Sequence, residues 1–158
     1  MTRPWRRLAE SPLVTVAGCC TAHAALALAL PDPWLAPNFT LVGLVLAVTG
    51  APARWAVFSA AAAGCAAVWA IRFPAAVAAG HLAAGWGIRW VAARWDASDA
   101  RIQGLLVLLT TSVLTFGMLW VQDLWSLPVT GLAAAHIGLT YAAFLAIRRL
   151  AGPAQVVR

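Results

Sequence analysis

The chain has 158 residues, 63% of them hydrophobic and only 10% charged, with a formal net charge of +6. That balance lies far outside the range of soluble globular domains, and the charged side chains fall in short connections between apolar runs of about 17 to 21 residues, each able to cross ~30 Å of hydrocarbon. Soluble catalysis and nucleic-acid reading are therefore excluded, and the positive charge is assigned to membrane topology and anionic lipid.

The first ten residues carry Arg3, Arg6 and Arg7 ahead of an uncharged run, Pro12 to Leu30. This looks like the start of a signal peptide, but the run is longer than a usual h-region and further apolar runs follow, so an uncleaved first helix over 12–30 is expected. Pro31, Pro33 and Pro37, with Asp32 and Asn38, then forbid a continuing helix. The second span is predicted over 34–50, with Pro37 in its first turn, where a proline costs no hydrogen bond, and Trp34 at headgroup level. Phe39 to Thr49 holds no ionisable residue, and Gly50, Pro52 and Arg54 form the exit turn.

The third span, 55–71, is rich in small residues: Ser59, Ala63 and Ala67 form one ridge, and Ala60 and Gly64 another. In lipid, close backbone packing replaces the hydrophobic drive, so these ridges are expected helix contacts and the helix is expected to be central. A tight turn at Arg72 leads to the fourth span, 73–91, which carries Gly80, Ala84, Gly85 and Gly87. Arg89 to Arg101 is the longest polar connection, and Ser98 or Asp99 is the expected cap of a fifth span over 102–121. Thr110, Thr111, Ser112 and Thr115 give that span a hydroxyl-bearing middle. After QDLWSLP comes the sixth span, 127–147, with Ala134, Gly138 and Ala142 as its small ridge, and Arg148 and Arg149 are expected to stop it.

The predicted fold is thus all-α: a single six-helix transmembrane domain with short loops and both termini on one side. All basic residues are arginine. Ten of them fall on the side of the termini and Arg72 alone on the other, so the termini are predicted to be cytoplasmic. Trp55 and Trp90 then mark the inner interface, and Trp34, Trp69, Trp120 and Trp125 the outer one.

His23, His81 and His136 lie within the apolar runs. Buried ionisable groups in a membrane invite a functional reading, and two facing histidines could hold haem or a metal. They are not paired on one helix face, have no intramembrane carboxylate beside them and fall at different predicted depths, so neutral histidines bonding between helices are expected, with no cofactor and no metal. Asp32 and Asp123 read as turn residues. Cys19, Cys20 and Cys65 have no paired spacing and read as small packing residues. No nucleophile motif or phosphate loop is present, and no enzymatic activity is expected.

Three stretches carry a resemblance. PNF at Pro37 to Phe39 with its apolar run and GAPAR exit, the glycine of SAAAAGCAA at Gly64, and AAGHLAAGWGIRWVAARW from Ala78 to Trp95 resemble the MreD family of bacterial rod shape-determining membrane proteins. The chain differs in having Ala67, Val68 and Trp69 where that family often has an aspartate. The resemblance implies a non-enzymatic scaffold of the cell-elongation machinery in the inner membrane. Its implied partners are an MreC-like bitopic protein and, through it, RodA and a penicillin-binding transpeptidase. Two other classes remain open. One is a substrate-binding S component of a vitamin transporter, using Trp34, Asn38, Trp120, Gln122 and Asp123. The other is a small haem-binding membrane protein using the histidines.

Overall fold

The computed structural model describes residues 12–50, 75–97 and 99–151. The predicted third span, with Ser59, Ala63, Gly64, Ala67, Trp55 and Trp69, lies outside the described residues. Those that are described form five α-helices and no strand: α1 (Pro12–Ala29), α2 (Phe39–Gly50), α3 (Ala75–Ala92), α4 (Ala100–Val121) and α5 (Leu127–Ala151). Two of them, α4 and α5, are long and apolar enough to cross a membrane, whereas α1 and α2 contribute shorter apolar stretches.

Helix boundaries follow from local chemistry. Asp99 caps α4, its carboxylate accepting the Arg101 amide at 2.8 Å. At the other end of α4, Asp123 adopts φ 50°, the Leu124 amide reaches the Leu119 carbonyl at 3.0 Å and the Asp123 amide reaches that of Trp120. This left-handed closure satisfies carbonyls that would otherwise be orphaned. The expected stop of α5 before Arg148 is corrected: the helix runs through Arg148 and Arg149 to Ala151. Arginine is a good helix former and its charge suits a C-terminal turn, so nothing ends the helix there.

The expected start of the second span is corrected as well. Trp34 does not open a helix; Pro33–Leu35 form one turn of 3-10 helix and α2 begins only at Phe39. Asn38 is the cap, its side-chain oxygen accepting the Leu41 amide at 3.1 Å and its carbonyl accepting that of Val42. Pro37 therefore stands before the cap and not in the first turn. At 12 residues α2 is about 18 Å long, too short to span ~30 Å of hydrocarbon unaided.

Short as it is, α2 is the centre of the described bundle. It touches all four other helices. Leu41, Val42, Leu44, Val45 and Val48 are fully enclosed, joined in one core by Val16, Ile88, Leu106, Val107 and Phe144. Outward surfaces are the reverse of a soluble protein's: Leu105, Leu108, Leu109, Val113 and Phe116 are exposed along α4, while Thr111 and Thr115 are buried.

Two close approaches set helix spacing. A Cβ added to Gly43 would lie 2.6 Å from Cys19 Cβ, and one added to Gly80 would lie 2.5 Å from a methyl of Leu114. Gly43→Ala is expected to force α1 from α2, costing about 1–3 kcal/mol in the unfolding of the purified protein. Gly138→Ala, where the added carbon meets open space, is expected to be silent or slightly stabilising. Equal melting of the two variants would contradict the close α1–α2 contact.

Candidate functional site

The segment from Leu30 to Asn38 crosses from α1 to α2 and turns into the bundle. Its turn is built internally: Asp32 Oδ1 accepts the Trp34 amide at 2.9 Å and the Asp32 carbonyl accepts that of Leu35 at 3.0 Å. Ala36 is fully buried and Asn38 nearly so. Backbone groups at such a place need partners, and α5 supplies them. Thr140 Oγ1 accepts the Asn38 amide at 2.9 Å while donating to the His136 carbonyl, one turn back, at 2.8 Å. His136 Nδ1 lies 3.1 Å from the Trp34 carbonyl. A carbonyl only accepts, so this nitrogen carries the hydrogen. The Trp34 ring meets the His136 ring edge-on, with centroids 5.7 Å apart.

On the opposite flank, α1 binds the first turn of α2. His23 Nδ1 lies 3.0 Å from Thr40 Oγ1, and Cys20 also pairs with that hydroxyl. His23 is moreover within electrostatic reach of both His136 and His81. His23 and His81 each lie about 9 Å along their helices from Ala29 and Ala75, and His136 about 14 Å along α5 from Leu127.

The hydroxyls of α4 complete the layer. Gly80 against Leu114 sets α3 beside α4, Gln103 against Thr49 sets α2 beside α4, and Gly104 against Tyr141 and Phe144 sets α5 beside α4. Counting from these contacts at 1.5 Å per residue brings Thr111 and Thr115 level with His81, with the start of α2 and with His136. Among the described residues, the buried polar side chains other than Gln103 thus lie in one layer around the N-terminus of α2, contributed by all five described helices. Gln103 lies at the other end of α2 and donates to Thr49 Oγ1 and the Ala97 carbonyl. Thr110 spends its hydroxyl on the Leu106 carbonyl of its own helix. The Thr111 hydroxyl is buried with no hydrogen bond among the described residues.

Such a layer holds imidazoles and hydroxyls, donors and acceptors without a fixed negative charge. The described residues contain no group of three or more His, Cys, Asp or Glu that could hold a metal ion.

Of the residues singled out from the sequence, Trp34 and Asn38 join this layer. Trp120, Gln122 and Asp123 are exposed beyond it, and Trp125 stacks on Phe116. Gly80 is a tight contact; Ala84 is half-buried on the same helix, and Gly138 faces open space. Trp90 is exposed under the Arg94 guanidinium, 3.9 Å from its ring centre. Gly43, Thr40 and Thr140 were not singled out. Only contacts between residues far apart in the chain bring them in, although a hydroxyl one turn after a histidine was a visible cue at Thr140.

The described arginines, Arg89, Arg94, Arg101, Arg148 and Arg149, gather at the end of the bundle away from Trp34, while Asp32 and Asp123 lie at the Trp34 end. No family model matches the chain, and no curated protein or solved structure is similar to it.

Thr40→Val keeps the shape of the side chain and removes the partner of His23, so a loss of about 1–3 kcal/mol is expected on unfolding. Adding His23→Leu should recover part of that loss, because the stranded imidazole goes with it. Strict additivity of the two changes would contradict a direct bond.

Proposed function

We propose that this chain is a multi-pass protein of the bacterial inner membrane that crosses six times with both termini in the cytoplasm. It acts there as a non-enzymatic scaffold of the cell-elongation machinery, as a divergent MreD-like protein. The observation that supports the membrane part is the inside-out pattern of α4: leucine, valine and phenylalanine cover its exposed face and threonines its buried one. Large contiguous apolar surface of that kind calls for lipid or protein around it. The gathering of the described arginines at one end supports the orientation.

The scaffold reading draws on the resemblance in PNF, in Gly64 and in the Ala78 to Trp95 stretch. It also draws on short connections, 93–99 and 122–126, which leave helix faces as the main surface for a partner. An MreC-like bitopic protein is the direct partner, and RodA and a penicillin-binding transpeptidase follow through it. A second reading, the substrate-binding subunit of a micronutrient transporter, is favoured by the buried polar layer.

Two measurements test this. In a background lacking Cys19, Cys20 and Cys65, Ala97→Cys should resist an impermeant thiol reagent in intact cells and Ser126→Cys should react; the reverse pattern would overturn the orientation. Depletion should round rod-shaped cells, and the chain should co-purify with the MreC-like partner. Unchanged cell shape together with tight binding of a vitamin by the purified chain would select the transporter reading instead.

A further inference from the structure

The Leu30 to Asn38 segment is tied differently to itself and to its surroundings. Within the segment, Asp32 binds both Trp34 and Leu35 and fixes the turn, and three prolines stiffen it further. Toward the bundle, its hydrogen bonds among the described residues lead to one turn of α5: His136 holds the Trp34 carbonyl and Thr140 holds the Asn38 amide. Its own Ala36 is fully buried, and its Pro33–Leu35 turn packs against α1, the helix whose His23 bonds to Thr40. Stiffened within itself and packed against α1 as well as α5, the segment moves as a unit when its two bonds to α5 break. The helix that follows cannot share the motion, because Leu41 to Val45 are enclosed on all sides.

We propose that residues 30–38 form a hinged strap, latched to α5 by His136 and Thr140, whose release uncovers the histidine layer at the start of α2. The hinge is at Asn38, where the irregular chain meets the packed helix. A stiff segment over a polar interior, joined to it by a small number of hydrogen bonds, is the arrangement that gating segments use. In the scaffold reading the released strap offers a partner the polar layer as an added contact; in a solute-binding protein it would admit the solute. The strap itself depends on neither.

The test uses the purified full chain in detergent, so membrane orientation does not enter. Cys19→Ala, Cys20→Ser and Cys65→Ala remove the native thiols, and Ala36→Cys reports strap opening through its rate of maleimide labelling. Thr140→Val and His136→Leu should each raise that rate about fivefold, and together by roughly the product. His136→Asn should restore the slow rate, since an asparagine amide places a donor near the position of Nδ1. Ala47→Cys, buried on α2, is the control and should stay slow.

An unchanged Ala36→Cys rate in the double variant would overturn the proposal. So would parallel acceleration at Ala47→Cys, because release would then be unfolding. If the latch variants do not fold, hydrogen exchange on the unaltered chain decides: the Asn38 amide should exchange faster than that of Val45, and equal rates would overturn the strap.

Discussion

The constraint on which the arrangement depends is the burial of a helix N-terminus. A helix leaves its first amides without internal partners, and the start of α2 is enclosed by α1, α5 and the turn that precedes it. Water cannot serve those groups, so each needs a protein acceptor. Asn38 takes the Leu41 amide with its side chain, Pro37 takes that of Phe39, and Thr140 takes that of Asn38 itself. The carbonyl of Trp34 needs a donor in turn, and His136 supplies it. A polar layer follows from a short helix as a matter of backbone accounting, before any function is assigned to it.

The same constraint explains the packing around it. Polar groups placed at the two ends of α2 leave its middle apolar, and Leu41 to Val48 pack on Val16, Ile88, Val107 and Phe144. The glycine at Gly43 brings α1 close enough for His23 to reach Thr40. Close packing and hydrogen bonding are therefore coupled: pushing α1 away from Gly43 would also lengthen the bond at Thr40. That coupling makes the α1–α2 contact a part of the layer and not merely an apolar seam.

Much of the fold was legible in the sequence. Apolar runs bounded by charge and proline marked the helices, Asp99 was one of two caps considered for α4, and both ends of α4 fell within two residues of expectation. The strap was not legible, because proline, aspartate and asparagine read as a surface turn whatever depth the turn occupies. Nor was the layer. The bonds of Asn38 to Thr140 and of Trp34 to His136 each join residues 102 positions apart, and nothing local to one partner announces the other. Stagger between helices decides which side chains share a level, and stagger is set by contacts such as Gly80 on Leu114 that periodicity does not contain. His23 bonds across to α2 at Thr40, as expected of a neutral histidine between helices, and His136 bonds instead to the turn at Trp34; their convergence required the packing.

The bond from His136 to the Trp34 carbonyl joins residues 102 positions apart, and it can be measured directly. Selective labelling of histidine nitrogen and of the Trp34 carbonyl carbon permits a nitrogen–carbon distance by solid-state NMR on the chain in lipid. A hydrogen bond of 3.1 Å from nitrogen to oxygen corresponds to about 4 Å from His136 Nδ1 to the carbonyl carbon, with the hydrogen on Nδ1. A distance beyond roughly 6 Å, or a His136 whose hydrogen resides only on Nε2, would contradict a strap and half-length helix pinned inside the bundle.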